Sequence, residues 1–126
     1  MSRGGIKSQT VENSVVGLGG NEFETGLINV PATSIIKKGT VLFRSGSKFA
    51  PVTDLEEETP VAVNPFDIEN PGSAAADMSF RAIIFGPVRA DLLTIDGVAT
   101  TDAQNDAIRC HASIIPIKVN DISHVK

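Results

Sequence analysis

Thr40-Val41-Leu42-Phe43-Arg44-Ser45-Gly46-Ser47-Lys48-Phe49-Ala50-Pro51-Val52 is the stretch that decides the fold. Two runs enriched in β-branched and aromatic residues flank a short Ser-Gly-Ser connection, the pattern of a β-hairpin. Pro51 has no amide to give to a ladder, so the returning strand is expected to end there or lie at an edge. Outward from the hairpin, Pro60-Val61-Ala62-Val63-Asn64-Pro65 reads as a short strand between two prolines. Phe80-Arg81-Ala82-Ile83-Ile84-Phe85 is the most apolar strand of the chain. Alternation places Phe80, Ala82 and Ile84 on one face and Ile83 and Phe85 on the other. With both faces greasy, one is expected to meet the core and the other a second subunit or a covering loop. Gly86-Pro87 is expected to break this run before residues 88–95 resume it, and Asp96-Gly97 reads as a turn.

One helix is legible. Thr101 is placed to cap the free amides of a first turn, and Gln104 three residues later completes a capping box. Asp102 lies at the favourable positive end of the helix dipole. Ala103, Ala107 and Cys110 fall on one stripe at helical spacing, with Ile108 and Ala112 beside it, so Cys110 is expected as a small core residue. Ile114-Ile115-Pro116-Ile117-Lys118-Val119 closes the chain as a strand whose Ile115, Ile117 and Val119 share a face.

The N-terminal residues are of another kind. Residues 1–26 hold six of the eleven glycines, and their apolar residues stand isolated among Ser, Asn and Glu. Such a segment buries too little to offset the entropy of ordering it alone. The expected organisation is a flexible arm over residues 1–26, a β-rich domain over 27–119 and a polar tail over 120–126. Residues 9–18 would extend as a strand if a sheet edge were offered to them.

Composition narrows the function. The chain has 126 residues and a net charge of −4, and its six aromatic residues are all Phe. No basic stripe is offered to a phosphate backbone, so a nucleic-acid partner is not expected. The acidic cluster at Asp54, Glu56, Glu57 and Glu58 reads as a solvated loop. One cysteine cannot form an internal disulfide. No segment has the length and apolarity of a membrane span or of a signal peptide, so a chain made in the cytoplasm with no membrane partner is expected. A thin aliphatic core in a module of this size points to oligomerisation.

The search for chemistry finds little. Gly17-Leu18-Gly19-Gly20 lacks the Lys-Ser/Thr ending of a phosphate loop. Cys110 and His111 are adjacent, so a helix points them about 100° apart and away from a shared metal. Asp91 reads as a partner of Arg89 or Arg81, and Asp96 as a turn former. No catalytic residue, metal, cofactor or small-molecule substrate is expected, and the chain reads as a non-enzyme.

The order of these features resembles the head decoration proteins of tailed bacteriophages, the lambda-type capsid-stabilising family. The resemblance is carried by Lys38-Gly39-Thr40-Val41-Leu42, by Lys48-Phe49-Ala50-Pro51-Val52-Thr53, and by Ile83-Ile84-Phe85-Gly86-Pro87-Val88-Arg89-Ala90-Asp91-Leu92-Leu93. It spans about residues 33–119. The chain departs from the lambda-type pattern in lacking Trp and Tyr, in its longer acidic loop and in its tail from Asn120. The resemblance implies a mainly β protein with one short helix, a small partly open, barrel-like module assembled as a homotrimer. It implies a place on the outer surface of the virion, at three-fold sites of the expanded shell. There the N-terminal segment would add to the sheet of the major capsid protein. Gln9, Val11, Val15, Val16, Leu18 and Phe23 are then the expected capsid contacts. Phe80, Ile83, Phe85, Val88, Arg89 and Leu92 are the expected trimer contacts.

Physical arithmetic agrees with an oligomer. Ordering an arm costs roughly 1–2 kcal/mol per residue, and each new hydrogen bond returns only about 0.5–1.5 kcal/mol. One arm roughly breaks even, so three linked arms are needed to gain from effective concentration. Two other readings stay open. One is the base of a phage fibre or adhesin, another virion interaction module; the other is a small trimeric β hydrolase using Asp91 or Asp96.

Overall fold

The computed structural model describes residues 15–118, so Gln9, Val11, Val119 and the polar tail lie outside the described residues. In chain order the strands are β1 (Glu22–Val30), β2 (Ser34–Ile36), β3 (Val41–Ser45), β4 (Lys48–Pro51) and β5 (Pro60–Val63). They continue as β6 (Ile68–Asn70), β7 (Ala76–Arg89), β8 (Thr94–Ile95), β9 (Val98–Ala99) and β10 (Ile114–Ile117). The helix α1 (Asp102–His111) precedes β10, and a single 3₁₀ turn at Ala90–Leu92 follows β7. The mainly β character and the one α-helix are as the sequence predicts.

The central sheet runs β1-β4-β3-β5-β7-β10, and β1 also pairs with β7. That last pairing closes the first five strands into a barrel, where the sequence reading had left it partly open. The closing seam is the longest antiparallel ladder, running from Glu22 opposite Phe85 to Val30 opposite Ala76. Strand β1 therefore begins inside the segment expected as a free arm. Its residues 22–26 belong to the barrel, and the boundary at residue 26 is corrected accordingly. The physical reason is non-local. Glu22–Val30 alternates in exposure with Ile28 and Val30 inward, but only β7 and β4 give those residues something to cover.

Barrel closure leaves two cores on opposite sides of the same strands, because successive side chains of a strand point to opposite faces. Leu42, Ala62 and Ala82 share one buried cluster with Ile28, Val30, Phe49 and Ile68. Their sequence neighbours Val41, Val63 and Ile83 lie in a second cluster, with Val16, Val52, Val88, Leu93, Ile95, Ile108 and Ile114. The first fills the barrel. Phe49 is its largest buried side chain, meeting the ring of Phe80 edge to face at 5.6 Å. The ring has room because β1 carries Gly26 beside it: a Cβ there would stand 2.6 Å from Phe49 Cε2. The second cluster is roofed by the helix, β10 and the loops.

Local signals in the sequence hold. The hairpin pairs Ser45 with Lys48 across Gly46-Ser47, and Gly46 has φ of 65°, the conformation that a two-residue turn demands. Pro51 ends β4, although β4 lies between β3 and β1 rather than at an edge. Asp96 and Gly97, at φ 54° and 76°, turn β8 into β9. Both halves of the capping box on α1 are formed.

Others shift. Gly86-Pro87 does not break β7. At φ 106° Gly86 bends the strand without ending it, and its amide donates to Ser113 O at 2.9 Å. The stretch after Asp67 holds the short strand β6, which pairs with β2. Asn70 at its end is buried. Its amide donates to the carbonyls of Val30, Pro31 and Ala74, tying this ribbon to the end of β1. On α1 the buried positions are Asn105 and Ile108, while Ala103 and Cys110 are exposed. Cys110 is thus not a core residue. The helix is rotated from the expected stripe, with Asn105 held inward by Thr100 Oγ1, which donates to its Oδ1 at 2.7 Å. On β10 the covered face is that of Ile114 and Pro116, and Ile115 is exposed. The parallel register of β10 on β7 sets this, with Ile114 opposite Gly86.

Candidate interaction surface

The residues just before β1 are stitched to β7. Leu18 N donates to Pro87 O at 3.0 Å and Arg89 N donates to Val16 O at 2.8 Å, around a bridge between Gly17 and Val88. Asn21 secures the turn that follows, its side-chain amide donating to Phe85 O and Pro87 O. Val16 is fully buried, Leu18 is half-buried, and Phe23 is half-buried beneath the Arg81 guanidinium, which lies 5.6 Å from its ring centre. Val16 therefore serves the fold of its own chain and is corrected from capsid contact to core residue. Val15 is different: 55% of it is exposed.

The six expected trimer contacts divide in the same way. Ile83 and Val88 are completely buried within one chain, so neither reaches a neighbouring subunit. The second greasy face of β7 is covered by α1, β10 and residues 15–18 of the same chain, where the sequence offers either a second subunit or a covering loop. Phe80 and Leu92 are half-buried. Arg89 is held by both carboxylate oxygens of Asp91, at 3.2 and 2.7 Å. That pairing raises the Arg89 pKa further. Phe85 stands out at 46% exposure.

Phe85 has an exposed apolar neighbour across the sheet. Ile115, 48% exposed, sits opposite Pro87 on the β10 flank, and Pro87 is two residues from Phe85. Val15 lies on the other flank, one residue before the stitched segment. The C-terminal half of β7 thus carries an apolar corner, and residues 1–14 depart from beside it. Sequence reasoning missed Ile115 because alternation groups it with Ile117 and Val119 without saying which face of β10 the body covers.

A second region lies along the other half of β7. Strand β5 pairs with β7 at one position only, Val63 opposite Ile83. Beyond it the chain veers away through Asn64, Pro65 and Phe66, and Asn64 turns to hold Ile36 O and Lys37 O with its side-chain amide. A cleft of about 390 Å³ opens between this segment and Ser79–Arg81, with Phe66 at 44% exposure on its rim. The sequence did hold a signal for Phe66, a lone aromatic residue between Pro65 and Asp67 in a turn-forming stretch. A smaller hollow of about 290 Å³ lies between α1 and Lys118. Its charges close on each other, Lys118 with Asp102 at 3.1 Å and Arg109 with Asp106 at 2.6 Å.

The titratable groups read as possible catalysts are occupied in other ways. Asp91 is engaged by Arg89, and Asp96 forms the hairpin turn. In the acidic loop Glu58 accepts from the amides of Thr53 and Asp54, and Asp54 from that of Glu56. Asp77 is held below the usual carboxylate range, chiefly by its hydrogen bond with Lys48 and then by that with Asn29. Among the described residues no group of three or more His, Cys, Asp or Glu is placed to hold a metal ion.

The chain matches no family model, no curated protein and no solved structure.

Proposed function

We propose that the chain is a decoration protein of a tailed-bacteriophage head, bound as homotrimers on the outside of the expanded shell at three-fold sites. Its work is mechanical. It clamps neighbouring capsomers against internal pressure, and residues 1–14 add to the major capsid protein. The observation that carries this reading is the coincidence at the C-terminal half of β7. There Phe85 and Ile115 expose apolar surface, and Val15, also exposed, joins residues 1–14 to the body beside the last residues of the same strand. Clustered apolar side chains on an otherwise closed module mark a contact surface more than scattered ones do. Phe85 and Ile115 are the proposed trimer contacts, and Gln9, Val11 and Val15 the proposed shell contacts. Joined arms then bind through effective concentration although each alone gains little.

The test is co-sedimentation of the purified chain with undecorated, expanded shells of its parent phage, beside a chain lacking residues 1–14. Saturable binding of the full chain, strongly weakened by the deletion, is the expected result. Binding to no shell state would end the decoration reading. Equilibrium sedimentation of a Phe85→Ser, Ile115→Ser double variant examines the other half. It is expected to shift the protein from trimer towards monomer, and an unchanged trimer would remove these residues from the interface.

A further inference from the structure

The N-terminal half of β7 has an unused edge. On one side its residues 76–83 are laddered to β1 without a break. On the other side β5 pairs only at Ile83 and β10 only with residues 86–89. No strand among the described residues pairs with residues 79–82 there, and residues 79–81 form one wall of the 390 Å³ cleft. The opposite wall includes Ile68 and Glu69 of β6, a strand whose one described partner is β2. The gap is built into the sequence. Pro65 has no amide to give to β7, and the side-chain amide of Asn64 draws its own segment towards Ile36 O and Lys37 O. Edges of this kind accept an added strand, the main chain supplying affinity and alternate side chains selectivity.

The surroundings of the cleft narrow what that strand is. A second copy offers no loose strand among its described residues, since each is held in a sheet or ribbon, and a recessed edge does not admit a whole sheet. The chain's own ends lie at the other end of β7. Gly17 bridges Val88 in the antiparallel sense, and Ile117 stands opposite Arg89 in the parallel sense. The described chain thus begins and ends beside the last residues of β7, away from residues 79–82. An extended segment of another protein remains, and the walls specify its chemistry. Phe80 and Ile68 both pack on the barrel side, so alternation puts Arg81 and Glu69 on the other side. A strand laid between the walls presents its side chains alternately to these two sides. The first side, with Phe66 at its rim, takes an apolar residue. The second lies between a cation and an anion, where a charged side chain meets its like on one wall. A neutral side chain that both donates and accepts suits both walls.

We propose that the open edge of β7 at residues 79–82 receives one extended segment of another protein. That segment alternates apolar with neutral polar side chains, and its apolar residue is seated by Phe66, Ile68 and Phe80. The proposal does not depend on the shell-binding reading.

The probe is the peptide acetyl-Thr-Val-Gln-Val-Thr-amide, titrated into the ¹⁵N-labelled full chain. Saturable shifts are expected in the amide signals of Ile68, Glu69, Ser79 and Arg81, with Gly46 and Gly97 at the hairpin tips unaffected. Two N-methylated forms test for strand pairing, one methylated at both Val nitrogens and the other at the Gln nitrogen. Alternate amides of a strand point to opposite edges, so one form is expected to bind about tenfold more weakly and the other to bind nearly as well as the parent peptide. Phe66→Ser, a change at an exposed rim position, is expected to weaken binding of the parent peptide. No shift at the cleft would overturn the proposal, and so would shifts indifferent to both methylated forms. Binding that appears only in a chain lacking residues 1–14 or 119–126 would overturn it too, making the occupant a terminal segment of the chain itself.

Discussion

Val16→Ala tests whether the barrel begins before residue 26. Val16 is fully buried among Val63, Ile83, Val88 and Ile108 in the outer core. Truncation to Ala removes two methyl groups, worth about 0.8 kcal/mol each in transfer from water. Incomplete collapse of the space adds up to about 1 kcal/mol. The expected loss is therefore about 2–3 kcal/mol, a large part of the roughly 5–15 kcal/mol that holds a domain folded. Read by heat, it corresponds to a fall of about 8–20 °C in Tm for a body of this size. Val15→Ala is the internal control. Its side chain is mostly exposed, so the expected change is within about 0.5 kcal/mol. Urea unfolding of the two variants beside the parent chain, followed by far-UV circular dichroism, gives both numbers. Equal midpoints for Val16→Ala and the parent would refute the reasoning and return residues 15–18 to a free arm.

Two more expectations concern the barrel. Gly26→Ala pushes a methyl group into the ring of Phe49, which is buried and has nowhere to swing. A loss of about 1–3 kcal/mol from overpacking is expected in the same unfolding experiment, and no loss would show that the ring is not fixed there. Asp77 is held ionised by Lys48 and Asn29, so its pKa is lower folded than unfolded. Stability from this pairing is present above the ordinary carboxylate pKa and fades as pH falls through the depressed folded value. Asp77→Asn should therefore lower Tm slightly at neutral pH and low salt, and match the parent in strong acid. A difference that grows on acidification would contradict this account.

The elements that could be read in the sequence are those whose cause is local. The β3–β4 hairpin, the Asp96-Gly97 turn and the Thr101 capping box each depend on residues within a few positions. The closing strand does not. Glu22–Val30 alternates only weakly, and its Gly26 looks like a mark of freedom until Phe49 is known to press against it. The same blindness explains the interface. Ile83 and Val88 were read as surface because a strand greasy on both faces needs two covers. The second cover came from α1, β10 and residues 15–18, all distant in sequence. A phase error accounts for Cys110, and for Ile115 alternation left open which face of the strand is covered. A two-residue stripe on a short helix, or one face of a four-residue strand, is fixed by docking rather than by periodicity.

The corrected boundary changes how the proposed function can be tested. A cut after residue 26 removes Val16 and Phe23 from the outer core and the first five residues of the strand that closes the barrel. Such a chain would fail to bind shells whether or not the arm touches them, because the body would be damaged first. A cut after residue 14 leaves every described hydrogen bond between residues 16–21 and β7 in place. Only that cut separates loss of an arm from loss of a fold. The two regions left for association both lie on β7, an apolar corner at one end and an open edge at the other. Loss of shell binding after that cut, in a chain whose unfolding midpoint is unchanged, would be the signature of the arm.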